Sequence, residues 1–400
     1  MTRAPLAVAL ALAVGTLAAI PAPAPGCAVA PPPNQRVTTS DEGALIVWDE
    51  ATKTEHFVRR ASFRSTGYDF GFLVPTPNRP HLDVVAGDGL FDDLERYTAP
   101  KVEYREVVRE VAKDFMPGCG AKFAADATKS EAPAPGAAAP GGVEVLEQKR
   151  VGDYDATVLV FRKGANDTAD TGAAALEKWL AKHGYESPPN VREWLKRYVA
   201  DRWCITAFKF ASPEAKRAAQ NPHPLGVSTK PIRMSFKTDR PFYPYREPEA
   251  ENPSREPRLL RVFVMAKGRV AGTLGDGAKP WPGATAWAGS QEPQRAERMF
   301  KAAHLGAPVD VEGVRVFDAP KPDAGWWLTE FEDKSSPRPG TDEVYFEPAA
   351  DQSPVARPVQ YIDRTRTVTV TPWWHVAAHI GVPVLLVLGG LGLWRGLRRS

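Results

Sequence analysis

Residues 175–199 read ALEKWLAKHGYESPPNVREWLKRYV. Leu176, Trp179, Leu180 and His183 fall at i, i+3, i+4 and i+7, which is one face of a helix. Gly184 supplies the stop. Pro188 suits a first helical turn, and Val191, Trp194, Leu195, Tyr198 and Val199 repeat the pattern. Strand-like runs flank this pair: 143–146 (VEVL) and 156–161 (ATVLVF) before it, and 203–210, 232–237 and 259–266 after it. The order β–α–α–β predicts an α+β fold, a strand-rich domain with two amphipathic helices packed on one sheet face.

Upstream, 44–48 (ALIVW) and 54–62 (TEHFVRRAS) read as a hairpin, and 69–74 (DFGFLV) as a third strand ended by Pro75, Pro77 and Pro80. Residues 90–97 place Leu90, Phe91, Leu94 and Tyr97 on one helical face. Residues 121–142 are Ala, Pro and Gly with few apolar anchors and read as a linker. Downstream, 267–295 is rich in Gly, Pro and Trp and reads as a long loop. The runs 314–317, 326–331 and 344–346 read as final strands, and 347–366 as a polar approach to the C-terminus.

The two ends differ in character from everything between them. Residues 6–20 are apolar behind Arg3 and give way to small residues and prolines, the layout of a secretory signal. No Asp, Glu, Lys or Arg occurs from Thr367 to Trp394. The apolar core of that run, 376–394, is 19 residues long, close to the ~20 needed to cross a bilayer. Trp373, Trp374 and Trp394 mark its edges, and Arg395, Arg398 and Arg399 follow it, which keeps the tail cytoplasmic. The expected order is signal 1–26, an N-terminal strand-rich part 37–120, linker 121–142, an α+β part 143–348, stalk 349–372, transmembrane helix 373–394 and basic tail 395–400. The bulk of such a chain lies outside the cytoplasm, in the periplasm or at the cell surface. Its C-terminal helix sits in the lipid bilayer.

Charge agrees with this layout. The formal balance is +3, from 51 basic and 48 acidic residues. Setting aside Arg3, Arg395, Arg398 and Arg399 leaves 47 bases against 48 acids. The exterior lacks the basic excess of a nucleic-acid binder. Of the three cysteines, Cys204 lies in an apolar strand, so Cys27 and Cys119 are the pair that would bridge in an oxidising compartment.

The ordered segments ALIVWDEATKTEHFVRRASF (44–63), DFGFLVPTPNRP (69–80), FDDLERYTAP (91–100), VEVLEQKRVGDYDATVL (143–159), ALEKWLAKHGY (175–185) and PIRMSFKTDRPFYP (231–244) resemble the bacterial exported family called domain of unknown function 2330. Residues 326–348 resemble its closing motif. The resemblance implies export and membrane attachment, and it brings no catalytic residue, cofactor or substrate. The family's mature start carries two cysteines, whereas this chain has Cys27 alone there.

Chemistry-bearing motifs are sparse. His375 and His379 share a helix face but lack the Glu of a zinc protease. Asp92, Asp93 and Glu95 lie opposite the apolar residues of their helix, as a solvated face does. No G-x-S-x-G occurs, and His56, His81, His183, His223 and His304 have no partner recognisable in sequence. The run 272–277 (GTLGDG) lacks the Lys-Ser/Thr of a phosphate loop. Residues 238–241 (TDRP) read as a turn capped by Asp239. Trp281, Trp287, Trp326 and Trp327 are the candidate contact surface, for a glycan or an envelope protein. No catalytic, metal or cofactor residue is expected. The function expected is non-enzymatic binding or scaffolding in the bacterial envelope; the alternative is an extracytoplasmic hydrolase. A deep pocket of converging carboxylates, or a histidine beside a Ser or Cys, would favour the enzyme, and a flat or grooved apolar surface the binder.

Overall fold

The computed structural model describes residues 28–30, 37–65, 70–85, 89–112, 142–162, 164, 166–185, 189–210, 225–228, 230–248, 258–277, 279–311, 314–335 and 338–370. The signal, Cys27, Cys119, all of the linker but Gly142, His223, His375, His379, the C-terminal span and the basic tail lie outside the described residues. No helix among the described residues is long and apolar enough to cross a membrane.

The chain is strand-rich, with four described helices. In order the elements are β1 (Ala28–Ala30), β2 (Val37–Asp49), β3 (Thr54–Ser65), β4 (Gly71–Thr76), β5 (His81–Val84), α1 (Gly89–Tyr97), β6 (Val102–Ala112), β7 (Val143–Val151), β8 (Tyr154–Phe161), α2 (Ala169–Lys182), α3 (Pro189–Ala200), β9 (Cys204–Phe210), β10 (Leu225–Ser228), β11 (Ile232–Lys237), β12 (Phe242–Tyr243), β13 (Leu259–Lys267), β14 (Val270–Leu274), β15 (Lys279–Pro280) and β16 (Ala284–Ser290). Then follow α4 (Pro293–Ala302), β17 (Val309–Val311), β18 (Val314–Phe317), β19 (Trp326–Asp333), β20 (Val344–Pro348) and β21 (Gln360–Val370).

The chain divides into two units, 1–98 with 130–356, and 99–129 with 357–400. The first holds a five-stranded sheet, β1-β4-β9-β8-β7, and a larger sheet along the path β16-β19-β13-β2-β3-β11-β5, with β10 also on β3. Both sheets feed one core. Phe72, Val74, Val158 and Phe208 from the first meet Ile46, Phe57, Val262 and Met234 from the second. Side chains alternate along a strand, so the outer faces are also apolar and each takes helices. Leu73, Leu159 and Ile205 pack under Leu176, Leu180, Trp194 and Leu195 of α2 and α3. Leu45, Val47, Phe263 and Met265 pack under Phe91 and Leu94 of α1 and Phe300 of α4. The helix pair anticipated from 175–199 is therefore present, on the face expected.

Several expectations change. The parts 37–120 and 143–348 are interleaved: β4 pairs β9, and β2 pairs β13 in parallel. The stretch 267–295 holds β14, β15, β16 and the start of α4 rather than a long loop. Its glycines make room for an indole. A Cβ on Gly272 would sit 2.6 Å from the Trp281 ring, and one on Gly283 2.4 Å from it. The second unit contains β6 and β21 in parallel, from Gln360 beside Val102 to Val370 beside Ala112. The approach to the C-terminus thus includes a strand.

Candidate functional site

The centre of interest is one edge of the larger sheet, where β3, β11 and β5 lie side by side. Directly opposed residues of antiparallel strands share a face. Ser235 is opposed by His56 on one side and by His81 on the other, and Arg233 is opposed by Asp83. The face is the one that α1 and α4 cover, because Val58 is opposed to Arg233 and packs in that layer.

Ser235 Oγ and His56 Nδ1 share a hydrogen bond of 2.8 Å. Both residues are fully buried, and Phe317 of β18 closes on the imidazole with ring centroids 6.2 Å apart. Burial, reinforced by the Arg233 and Lys237 charges, lowers the His56 pKa to about 3. Its Nε2 has no hydrogen-bond partner among the described residues. The pair is out of sequence reach, since 179 residues separate its members.

Arg233 is 2 % exposed and clamps the end of α4 to the sheet. Its Nη1 donates to the carbonyls of His304 and, at 3.4 Å, Ala303, while Nη2 donates to Asp83 at 2.8 Å. Those carbonyls end a helix, where the dipole favours a cation. His304 follows the cap of α4 with φ of 58°, a left-handed conformation that an L residue adopts at a cost of about 1–2 kcal/mol and that glycine usually fills.

A cleft of about 560 Å³ opens here, lined by His81, Asp83, Arg233, Lys301, His304 and the 306–309 backbone turn. That volume suits a small ligand. Its permanent charges are two cations, Arg233 and Lys301, against one carboxylate, Asp83. His81 is half-buried and its pKa falls, first from burial and then from the Lys149 and Arg233 charges, with Glu147 and Asp83 opposing. No group of His, Cys, Asp and Glu among the described residues could hold a metal ion.

A second polar cluster lies sealed between the two sheets. Glu42 accepts from Arg59 Nη2 at 2.8 Å, from Arg338 Nη1 at 2.9 Å and from the Tyr243 hydroxyl at 3.3 Å. Arg338 Nε lies 3.7 Å from Asp333, whose Oδ2 also accepts from the Tyr245 hydroxyl at 2.7 Å. Burial alone would raise the Glu42 carboxyl, but the Arg59, Arg338 and Arg258 charges hold it at about 2. Burial would lower Arg338, yet Glu42, Tyr243 and Glu247 raise it well above its usual value.

The residues singled out in sequence are dispersed. Trp281 is buried in the inter-sheet core against Phe331 and Phe346. Trp326 is buried on the other side of the larger sheet against Phe300, where half-buried Trp287 stacks edge-on with Tyr97. Trp327 is half-buried. The four indoles thus line no single surface. Asp92 and Glu95 bind Arg60, and Asp93 binds Arg96, as a solvated face does. His183 stacks on Trp179 and bonds its carbonyl. Cys204 is a buried free thiol, pushed up to about 11 by burial. In the turn after β11, Thr238 Oγ1 donates to the Arg240 carbonyl at 3.0 Å, so Thr238 fixes it rather than Asp239.

No curated protein matches this chain. Among solved structures, the crystal structure of baculovirus P35 aligns at 8% identity and a TM-score of 0.31, over 81% of this chain and 98% of that one. The segments from 44–63 to 231–244 lie within a match to a family model. Residues 21–301 fit the family described as "Uncharacterized protein conserved in bacteria (DUF2330)", and since these residues make up well over half of its length, the chain belongs to that family.

Proposed function

We propose that this is an exported protein of the bacterial envelope, held by a C-terminal membrane helix, and that it works by binding. The observation that carries the location is the uncharged run from Thr367 to Trp394 followed by Arg395, Arg398 and Arg399. Strand β21 ends at Val370, three residues before the first interfacial tryptophan, so the extended approach leads straight into that run. Chains ending at Val370 leave the membrane fraction after export on this account. If they stay with membranes, the tether is elsewhere.

A hydrolase is the second reading, and the Ser235–His56 bond is the observation that favours it. Two features count against it. The serine is inaccessible, and an imidazole with a pKa of about 3 is a weak base at neutral pH. What reaches solvent is a set of groups suited to recognition: Asp83, Lys301, His81 and His304. A fluorophosphonate probe therefore leaves Ser235 unlabelled in the folded protein. Stoichiometric labelling of Ser235 would replace the binding reading with the hydrolase.

A further inference from the structure

We infer that the cleft between β5, β11 and the end of α4 binds the oxyanion of a small soluble ligand, a phosphate or carboxylate group. The inference rests on the binding reading above and adds the site and the ligand class to it.

Three observations carry it. The wall holds two permanent cations to one carboxylate, so with Arg233 and Asp83 paired it keeps the Lys301 charge in excess. Asp83 Oδ2 takes Arg233 at 2.8 Å, and its Oδ1 takes its neighbour's backbone, Val84 N–H, also at 2.8 Å. Arg233 is spent in holding α4, with only Nε lacking a hydrogen-bond partner among the described residues. Its charge is shared with Asp83, so it forms a fixed, paired floor rather than a mobile ligand. Lys301 is reachable, since its Glu297 partner sits one turn back on an exposed helix face.

The third observation is His304. Glycine would fill the left-handed position after α4 without strain, yet an imidazole stands there and lines the cleft. His81, half-buried on the same wall, has a ring N–H that can donate to an oxyanion. A cationic, partly desolvated recess strengthens such charge-assisted bonds. Ala307, Pro308 and Val309 form the apolar side, which accommodates a short hydrocarbon part of the ligand.

The test uses the full-length protein in detergent at constant ionic strength, titrated calorimetrically with inorganic phosphate and, in parallel, succinate. One saturable site is expected. Lys301→Met and His81→Asn each weaken it tenfold or more, while Lys182→Met, on the last turn of α2, changes nothing. Tighter phosphate or tighter succinate identifies which oxyanion the site prefers. Arg233 variants are avoided because they also release α4. Heats that do not saturate, or saturation indifferent to Lys301 and His81, overturn the inference. That failure is separate from failure of the binding reading, which Ser235 labelling alone would overturn.

Discussion

The sealed cluster around Glu42 and the open cleft around Arg233 use the same side-chain types and meet opposite ends. Between the sheets, Glu42, Arg59, Arg338 and Asp333 pair with one another and see almost no solvent. At the sheet edge, Arg233 and Asp83 are also paired, but Lys301 and the two histidines face a space a ligand can enter. Burial thus makes a charge cluster a stability element, and access leaves one open to a ligand. Changes in the first should alter folding and leave binding intact; changes at the solvent-facing Lys301 and His81 of the second should do the reverse.

The largest effect is expected from Glu42→Leu. It strands Arg59 and Arg338 without their shared carboxylate, and breaking one member of a buried pair costs about 3–5 kcal/mol. Urea unfolding measures this. The wild-type pH profile gives an independent check. Glu42 has its pKa lowered from 4.5 to about 2, so its contribution is present above pH 4.5 and is lost as pH falls toward 2. The loss amounts to about 3 kcal/mol.

Glu55 is the opposite case on the same strand pair. It is fully buried, accepts from the Phe242 N–H at 2.9 Å, and pairs with no cation among the described residues. Burial raises its pKa well above 4.5, with the Phe242 hydrogen bond opposing. Protonated Glu55 is therefore tolerated at low pH. Its stabilising share declines as pH climbs above 4.5, by up to about 1.4 kcal/mol per unit until the folded-state value is reached. Glu55→Gln should raise the thermal midpoint at pH 8 and do little at pH 4.

Smaller effects sharpen the cleft side. His304→Gly relieves the left-handed strain and should stabilise the fold by about 1 kcal/mol or less. Lys301→Met should change stability by under about 0.5 kcal/mol, because its ion pair is exposed, and still abolish most of the phosphate affinity. If either cleft variant unfolds the protein, the division between the two clusters fails.

Legibility in the sequence followed range and side-chain size. The α2–α3 pair was readable because its apolar residues are large and locally periodic, and Leu176, Leu180, Val191, Trp194, Leu195 and Tyr198 are all buried. Helix α4 is hard to read because its inward positions include Ala296, a small residue that mutes the period, and its cap is the equally small, buried Ala303. The 267–295 stretch reads as a loop because Gly272 and Gly283 signal one, while their role is to admit the Trp281 ring. The site was illegible for another reason. His56 and His81 meet Ser235 only through strand pairing across more than 150 residues, and Arg233 meets His304 only where a helix ends on the sheet. Local patterns carry none of that information.

The most direct measurement is hydrogen–deuterium exchange of the full-length protein with and without saturating phosphate. Slowed exchange confined to residues 81–85 and 301–309 is the predicted result. Unchanged exchange there, or protection centred on 42–59 and 338–343, would contradict the assignment of binding to the cleft and stability to the sealed cluster.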